Sequence, residues 1–435
     1  MKLILNFGRE FQIAAIIILL LVSYGYNGTF FYLHFIILLG FLLFKIKDYL
    51  KYLYIQKYFT LSIFVLSIWI LYGLVITPYT FDKYLHIKYL LVSFFYMISS
   101  LALVDLSLED FARFRNIFQR VTTLWIAINL VLLILYILGY DVRLTKPIGI
   151  ENINEEVPFS GFFYNRNIFS LINLIIFYIY YFITKNTNKK TTIVVLLTLT
   201  SFILVSESIK GLIGIALILL IKFSKYFFLS GVNYIRKVKR SSLIIVTIMI
   251  ILIPLLSQQL NVFNRIEKFY NDFFKDRKEE KISDSSYRRR WLIENSISII
   301  NQHPFTGVGA QSSTYFLVDP YVQLLIKRGT IKFIGNEARG TYSHCNYTEI
   351  ALATGWPGFF LYYFPILLTF FYLLLLRMKN VFIELSIYLI CLKLLIDIGM
   401  VSYYDLLHFI VLSFVILVAL KYSKTDEISI SRYNA

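Results

Sequence analysis

The sequence predicts an all-α, polytopic helical membrane protein with about twelve transmembrane helices and one large loop on the outer face. Three observations predict it. Hydrophobic residues make up 58% of the chain and charged residues only 16%, whereas a soluble domain carries about 45–50% and about 25%. The apolar residues come in blocks of roughly 20, long enough to cross a hydrocarbon core of ~30 Å, and not in the short alternating segments of a β-barrel. The Lys and Arg behind the formal charge of +17 sit mostly in alternate short loops, which is how helical membrane proteins specify topology. That placement argues against nucleic acid as a partner.

Taken in order, the spans are 11–25, 29–44, 59–77, 85–104, 121–140, 167–184, 191–206, 209–223, 241–258, 347–376, 380–399 and 406–420. The first block follows MKLILNFGRE and lacks a small-residue cleavage site, so it reads as a span and not as a removed signal peptide. Lys45, Lys47, Lys51 and Lys57 follow span two, Arg113, Arg115 and Arg120 span four, and Lys185, Lys189 and Lys190 span six. Lys222, Lys225, Arg236, Lys237, Lys239 and Arg240 follow span eight, and Arg377 and Lys379 span ten. The opposite short loops carry only Lys83, Arg143, Lys146, Arg166 and Lys210. Both termini are therefore expected in the cytoplasm and the loop 259–345 outside. The chain reads as residues 1–258 holding spans one to nine, 259–345 forming a partly helical cap, and 346–435 holding the last three spans. Cys345 and Cys391 imply no disulfide framework.

The outward loop carries the chemistry. No nucleotide donor is available on that face, so a reaction there needs an activated donor that has already crossed, such as a polyprenyl-pyrophosphate conjugate. Ser283, Asp284, Ser285 and Ser286 are good N-caps for a helix that runs to Gln302 and stops at Pro304. Ile293, Ile297 and Ile300 read as its apolar stripe, headed by Arg289, while Arg290 is spaced to pair with Glu294 on the polar face. A solvated basic helix start is the competing reading of Arg288, Arg289 and Arg290. Gly307 and Gly309 mark a tight turn with close backbone approach.

His344 precedes a long apolar run, with Ser343 as the expected N-cap. In the first turn of a helix a His feels the positive end of the dipole, which favours the neutral imidazole that a general base requires. A capping or interfacial polar residue is the plainer alternative. Lys210 stands in a very short hairpin, SESIKG, where it is either functional or a snorkelling lysine. GFFYNRNIF places Asn165, Arg166 and Asn167 at the start of span six, and Lys393 and Asp397 are an expected structural ion pair inside span eleven. No spacing typical of a metal site occurs, so no metal and no cofactor is expected.

With these residues in view, the chain resembles the O-antigen ligase and Wzy-type O-antigen polymerase superfamily of bacterial surface polysaccharides. The more specific part covers Arg289 to Gly358: an Arg precedes a helix ending in His303-Pro304-Phe305-Thr306-Gly307-Val308-Gly309, and His344 is followed by Gly355 and Gly358. GFFYNRN and SESIKG are weaker echoes of the family's Gly…Asn-x-Asn stretch and Ser-x-Ser-Arg-Gly hairpin. Two positions depart from the pattern. Cys345 stands where the family has Asn, with Asn346 next, and Lys210 stands where the hairpin has Arg, which keeps the charge but loses the bidentate fork.

The resemblance implies a metal-independent, inverting glycosyl transfer at the periplasmic face of the bacterial inner membrane, from a glycan on undecaprenyl pyrophosphate. It implies that His344 deprotonates the acceptor hydroxyl and that Arg289, with Lys210, holds the pyrophosphate. Arg288, Arg290, Asn165, Asn167 and Asn346 complete the candidate substrate-binding set. Partners implied are the lipid-linked glycans, the bilayer and a chain-length regulator. A polysaccharide polymerase is the preferred reading, a ligase acting on lipid A–core the nearest alternative, and a flippase for the same lipid the alternative from another class. The long loop 259–345 counts against the flippase.

Overall fold

The structure, a computed structural model, describes residues 57–109, 111–142, 159–161, 163, 166–184, 189–206, 208, 210–218, 285–317, 342–376, 381–401, 403 and 405–422. Spans 11–25, 29–44 and 241–258 lie outside the described residues, as do positions 259–284 and 318–341 of the long loop. Among the described residues every regular element is helical. In chain order these are α1 (Lys57–Ile76), α2 (Lys83–Glu109), α3 (Phe111–Ile137), α4 (Arg166–Ile183), α5 (Lys189–Val205), α6 (Ser285–Gln302), α7 (Ser313–Phe316), α8 (Asn346–Leu375), α9 (Val381–Asp397) and α10 (Leu406–Tyr422). A further helical run covers 210–218. Thr60–Tyr79, Lys83–Asp105, α3, α4 and α8 are long and apolar enough to cross a membrane, and α5 and α10 contribute shorter apolar helices. The protein is a multi-pass membrane protein.

The described residues fall in two compact units that interleave along the chain. One lies within Ser107–Ile266 and Asn380–Leu392, the other within Phe44–Leu106, Glu267–Lys379 and Lys393–Ala435.

In the first unit α4 is the central helix, buried continuously from Phe169 to Tyr178. It packs against α3 and α5. The run 210–218 approaches α4 closely because Gly211 and Gly214 carry no side chain; a Cβ would lie 1.9 Å from Ser170 Oγ and 2.1 Å from Leu174 Cδ2. Small residues permit such approach where lipid removes the hydrophobic drive between helices. α3 begins at Phe111, well before the expected 121, so Arg113, Arg115 and Arg120 lie in helical turns and not in a loop. Hydropathy marks the stretch inside hydrocarbon, and the helix continues past it. Its C-terminus closes with Gly139 at φ 87°. There Gly139 N–H donates to Tyr136 O and Tyr140 N–H to Leu135 O, both at 3.0 Å, the paired bonds of a Schellman stop.

In the second unit α8 packs against α1, α6 and α10. Pro78 ends α1 by forcing the short turn Thr77–Tyr79. Asp82 caps α2 by accepting the Leu85 N–H at 2.8 Å. A core of Leu292, Ile300, Val308, Leu317, Ala351 and Leu352 joins α6, the turn after it and the first half of α8. That core fixes the position of the two helix ends that carry Arg289 and His344.

Candidate active site

α6 ends where Pro304 requires, and the His303 N–H is shared between Ile299 O and Ile300 O at 3.2 and 3.0 Å. The expected caps Ser283 and Asp284 lie outside the described residues. The buried face differs from the expected stripe. Leu292, Ser296 and Ile300 are buried, whereas Ile297 is 40% exposed and Ile293 only half-buried. Ser296 folds its hydroxyl onto the Leu292 carbonyl at 2.7 Å, so a small polar residue takes an inward place that hydropathy assigns to isoleucine. Arg288 and Arg289 therefore head the inward face together. Arg290 points away and donates from Nε to Glu294 Oε1 at 2.8 Å.

The turn 303–309 is locked into a break in α8. Gly355 has φ 68° and ψ −177° inside that helix, with Pro357 two residues on. The freed backbone groups are taken up by the turn: Val308 N–H donates to Leu352 O at 2.6 Å and Trp356 N–H to Pro304 O at 2.8 Å. A broken helix at membrane depth requires such replacement partners. A Cβ on Gly307 would lie 2.3 Å from Leu352 O, and one on Gly355 2.5 Å from the Phe305 carbonyl carbon. Two backbones thus meet with no room for a side chain on either. Tyr72 Oη donates to Phe305 O at 2.6 Å, and the Ala310 N–H donates to His86 Nδ1 at 2.7 Å, which clasp the turn from α1 and α2.

His344 lies just before α8 at φ 57°. Cys345, not Ser343, is the N-cap. His344 is therefore outside the first turn, and the dipole argument for its protonation state does not apply in the expected form. The entry is held instead by Glu349, buried at 1% exposure, which accepts the Ser343 N–H at 2.6 Å and the Ser313 hydroxyl at 3.0 Å. Thr348 Oγ1 donates to Ser343 Oγ at 2.8 Å. Together they hold the strained backbone that presents the imidazole at the surface.

Tyr342 relates this imidazole to Arg289. Its ring lies 4.2 Å from the His344 ring, centroid to centroid, tilted by 48°. Crowding around its hydroxyl raises the phenol above its ordinary value even though the residue exposes 37% of its surface; the Arg289 charge opposes that rise, and Glu349 and Asp405 add to it. Burial lowers the Arg289 guanidinium, which Tyr342 counters and Arg288 reinforces, yet a guanidinium keeps its charge. Arg289 is thus a partly desolvated cation, and its charge acts more strongly than it would in water. Nothing about Tyr342 is periodic, because it precedes the helix; its only sequence signal is an aromatic residue two before His344.

The other predicted residues have their own surroundings. Asn346 is fully buried, with Nδ2 donating to Tyr363 Oη at 3.0 Å and Oδ1 accepting the Tyr403 N–H at 3.1 Å. Through these bonds it braces the helix entrance. Burial pushes the Cys345 thiol up, with bonds to Thr348 and Tyr347 opposing, so at neutral pH it is a poor nucleophile. Lys393 and Asp397 form the expected pair inside the bundle, with Tyr363 Oη donating to the same carboxylate at 2.8 Å. In the first unit Ser208 Oγ donates to Asn167 Oδ1 at 2.9 Å, so the hairpin and the start of α4 are brought together. Lys210 begins the run 210–218 half-buried, and Asn165 lies outside the described residues.

Residues 192–363 match the family model Wzy_C, described as O-antigen ligase. The matched stretch includes the SESIKG hairpin, Arg288 to Arg290, the turn at Gly307 and Gly309, and His344 with Gly355 and Gly358. No curated protein matches the chain at a significant level.

Proposed function

From residues 192–363, an O-antigen ligase domain of the ligase and polymerase superfamily, we propose that the protein is a polysaccharide polymerase. It joins oligosaccharide repeats carried on undecaprenyl pyrophosphate at the outer face of the bacterial inner membrane. The distribution of basic residues favours that orientation. The observation that carries the reading is the meeting of a cation and an imidazole on one tyrosine: Tyr342 lies against His344 and within the field of Arg289.

In this reading His344 takes the proton from an acceptor sugar hydroxyl. The oxygen forms its bond to the donor's anomeric carbon from the face opposite the pyrophosphate, and the glycosidic C–O bond to pyrophosphate breaks with inversion. The leaving group departs with the electron pair as an anion. Arg289, with Arg288 beside it, neutralises that charge as it develops, which is where a fixed, partly desolvated cation contributes most. Holding hydroxyl and anomeric carbon in line supplies much of the rest.

The test uses purified protein with lipid-linked repeat units, scored by product length. A general base contributes about 10²–10⁴ in rate, so His344→Ala should insert, fold and bind donor yet extend chains at least about a hundredfold more slowly. His344→Gln should fail similarly, since it hydrogen-bonds but accepts no proton. Chain extension by His344→Ala near the wild-type rate ends the general-base assignment. The ligase is the second reading, favoured by the description of the matched family. A deletion strain separates them: one repeat on each core means a polymerase has been lost, and bare core with long lipid-linked glycan means a ligase has been lost.

A further inference from the structure

At one end of the first unit, α3, α4 and α5 line an open recess of about 510 Å³ that the proposed transfer does not use. On α3, Asn116, Gln119, Arg120 and Thr123 line it at helical spacing, mostly on the part of the helix that precedes its apolar stretch, and Arg115 adds a second guanidinium. Tyr180 near the end of α4 and Thr191 near the start of α5 close the other side. Among the described residues no Asp or Glu lines the cavity, and neither Arg115 nor Arg120 makes an ion pair with a described residue. Two cations, two amides and several hydroxyls without a carboxylate suit a phosphate group, which Arg binds through paired N–H donors.

The position narrows the source of that phosphate. The Ser208–Asn167 contact joins the opposite ends of α4 and α5. Fourteen or so residues of helix separate the two polar ends, roughly 20 Å, so in a membrane they fall near opposite faces. Below the cavity both flanking helices turn apolar and stay exposed: Leu124, Ile128 and Val131 on α3, and Ile193, Val194 and Leu197 on α5. A polar recess above two exposed apolar faces has the shape of a phospholipid, headgroup in the recess and acyl chains along the helices. Basic pockets between transmembrane helices on the cytoplasmic side recognise anionic headgroups in general. We infer that the Arg115–Arg120 cavity binds the phosphate headgroup of an anionic phospholipid in the leaflet facing away from the Lys210 hairpin.

Native mass spectrometry of the delipidated full-length protein, titrated with phosphatidylglycerol or phosphatidylcholine at equal concentration, tests this. Phosphatidylglycerol adducts should exceed phosphatidylcholine adducts several-fold, and Arg115→Gln/Arg120→Gln should cut the phosphatidylglycerol adducts about tenfold. Lys83→Gln/Lys88→Gln, which removes the same charge from α2, should leave them unchanged. Arg115→Lys/Arg120→Lys keeps the charge and should retain an intermediate level. Equal losses in the two Gln pairs would reduce the effect to net charge and overturn the site. On the wild-type protein, independent of any variant's folding, displacement of phosphatidylglycerol by equimolar inorganic phosphate would mean a soluble anion and not a lipid is the ligand. None of these readings depends on glycosyl transfer.

Discussion

Two charged clusters in the second unit are built in opposite ways. The inner one, around Lys393 and Asp397, is sealed: Lys393 is 2% exposed and Asp397 0%, Tyr363 donates to the same carboxylate oxygen as Lys393, and the ammonium lies 5.2 Å from the Tyr362 ring centroid. Asn346 ties that network to the Tyr403 backbone through Tyr363. The outer cluster of Arg289, Tyr342 and His344 is half-open, and among the described residues no carboxylate figures in the electrostatic surroundings of its partly desolvated cation. A charge that is neutralised and enclosed has nothing left to offer a ligand and serves architecture. A charge that is partly stripped of water and still reachable is placed to act on one that arrives.

The contrast breaks first at the inner cluster. Removing one member of a buried pair leaves the other charge unpaired and costs about 3–5 kcal/mol. Lys393→Met should therefore lower the melting temperature sharply or prevent purification. Lys393→Met/Asp397→Asn, which removes both charges, should recover most of the loss. A single variant that melts with the wild type in a tryptophan-fluorescence scan would show that the pair is not structural. The next largest effect belongs to the outer cluster and should appear in rate. Arg289→Ala should melt near the wild type yet lose about 10²–10³ in turnover, the usual cost of removing one group that stabilises developing negative charge. Arg289→Lys should restore little if both guanidinium N–H groups are used. A loss of stability in Arg289→Ala as large as that of Lys393→Met would erase the distinction between the clusters.

The inner cluster was legible in the sequence and the outer only in part. Lys393 and Asp397 stand four apart in an apolar run, where the cost of burial leaves them no choice but each other. The end of α6 was equally plain, because Pro304 cannot continue a helix. The stripe on α6 was misread because a serine that bonds its own helix backbone hides its burial from hydropathy. The entry to α8 was misread because Glu349, four residues past the true cap, reaches back to the Ser343 N–H and displaces Ser343 from the capping role. The break at Gly355 was visible as Gly-Trp-Pro inside an apolar run, yet that run also satisfied the length of a single span. Tyr342 could not be found at all without a structure, since its role rests on contacts from two segments far apart in sequence.

Tyr342 tests whether the outer cluster acts as one unit. It is a positioning residue, set between Arg289 and His344. Tyr342→Phe keeps the ring against His344 and removes the hydroxyl, so a loss near 1 kcal/mol, about five- to tenfold, should appear in kcat with KM little changed. Tyr342→Ala removes both contacts and should cost more. Because burial raises the phenol above its ordinary value, the hydroxyl stays protonated through the working range. The pH–rate profile should consequently show no fall below about pH 10 that the Phe variant abolishes. A Tyr-dependent fall near pH 8 would make the phenol an acid or base in its own right.

The smallest effect is expected at Arg290, next in sequence to Arg289. Its guanidinium is half-exposed and pairs with Glu294, itself 58% exposed, one helical turn along. Such pairs contribute about 0.3–0.5 kcal/mol because water already solvates both partners. Arg290→Ala should leave turnover within about twofold, and its stability difference should shrink further at high salt, which screens exposed charges. Arg289→Ala and Arg290→Ala remove the same group from adjacent positions, so net charge and helix propensity cancel between them. What remains is the direction each side chain faces. Equal losses of activity at the two positions, with equal amounts of folded protein, would mean that the basic cluster acts through its summed field, and the inward face of α6 would no longer separate Arg289 from Arg290.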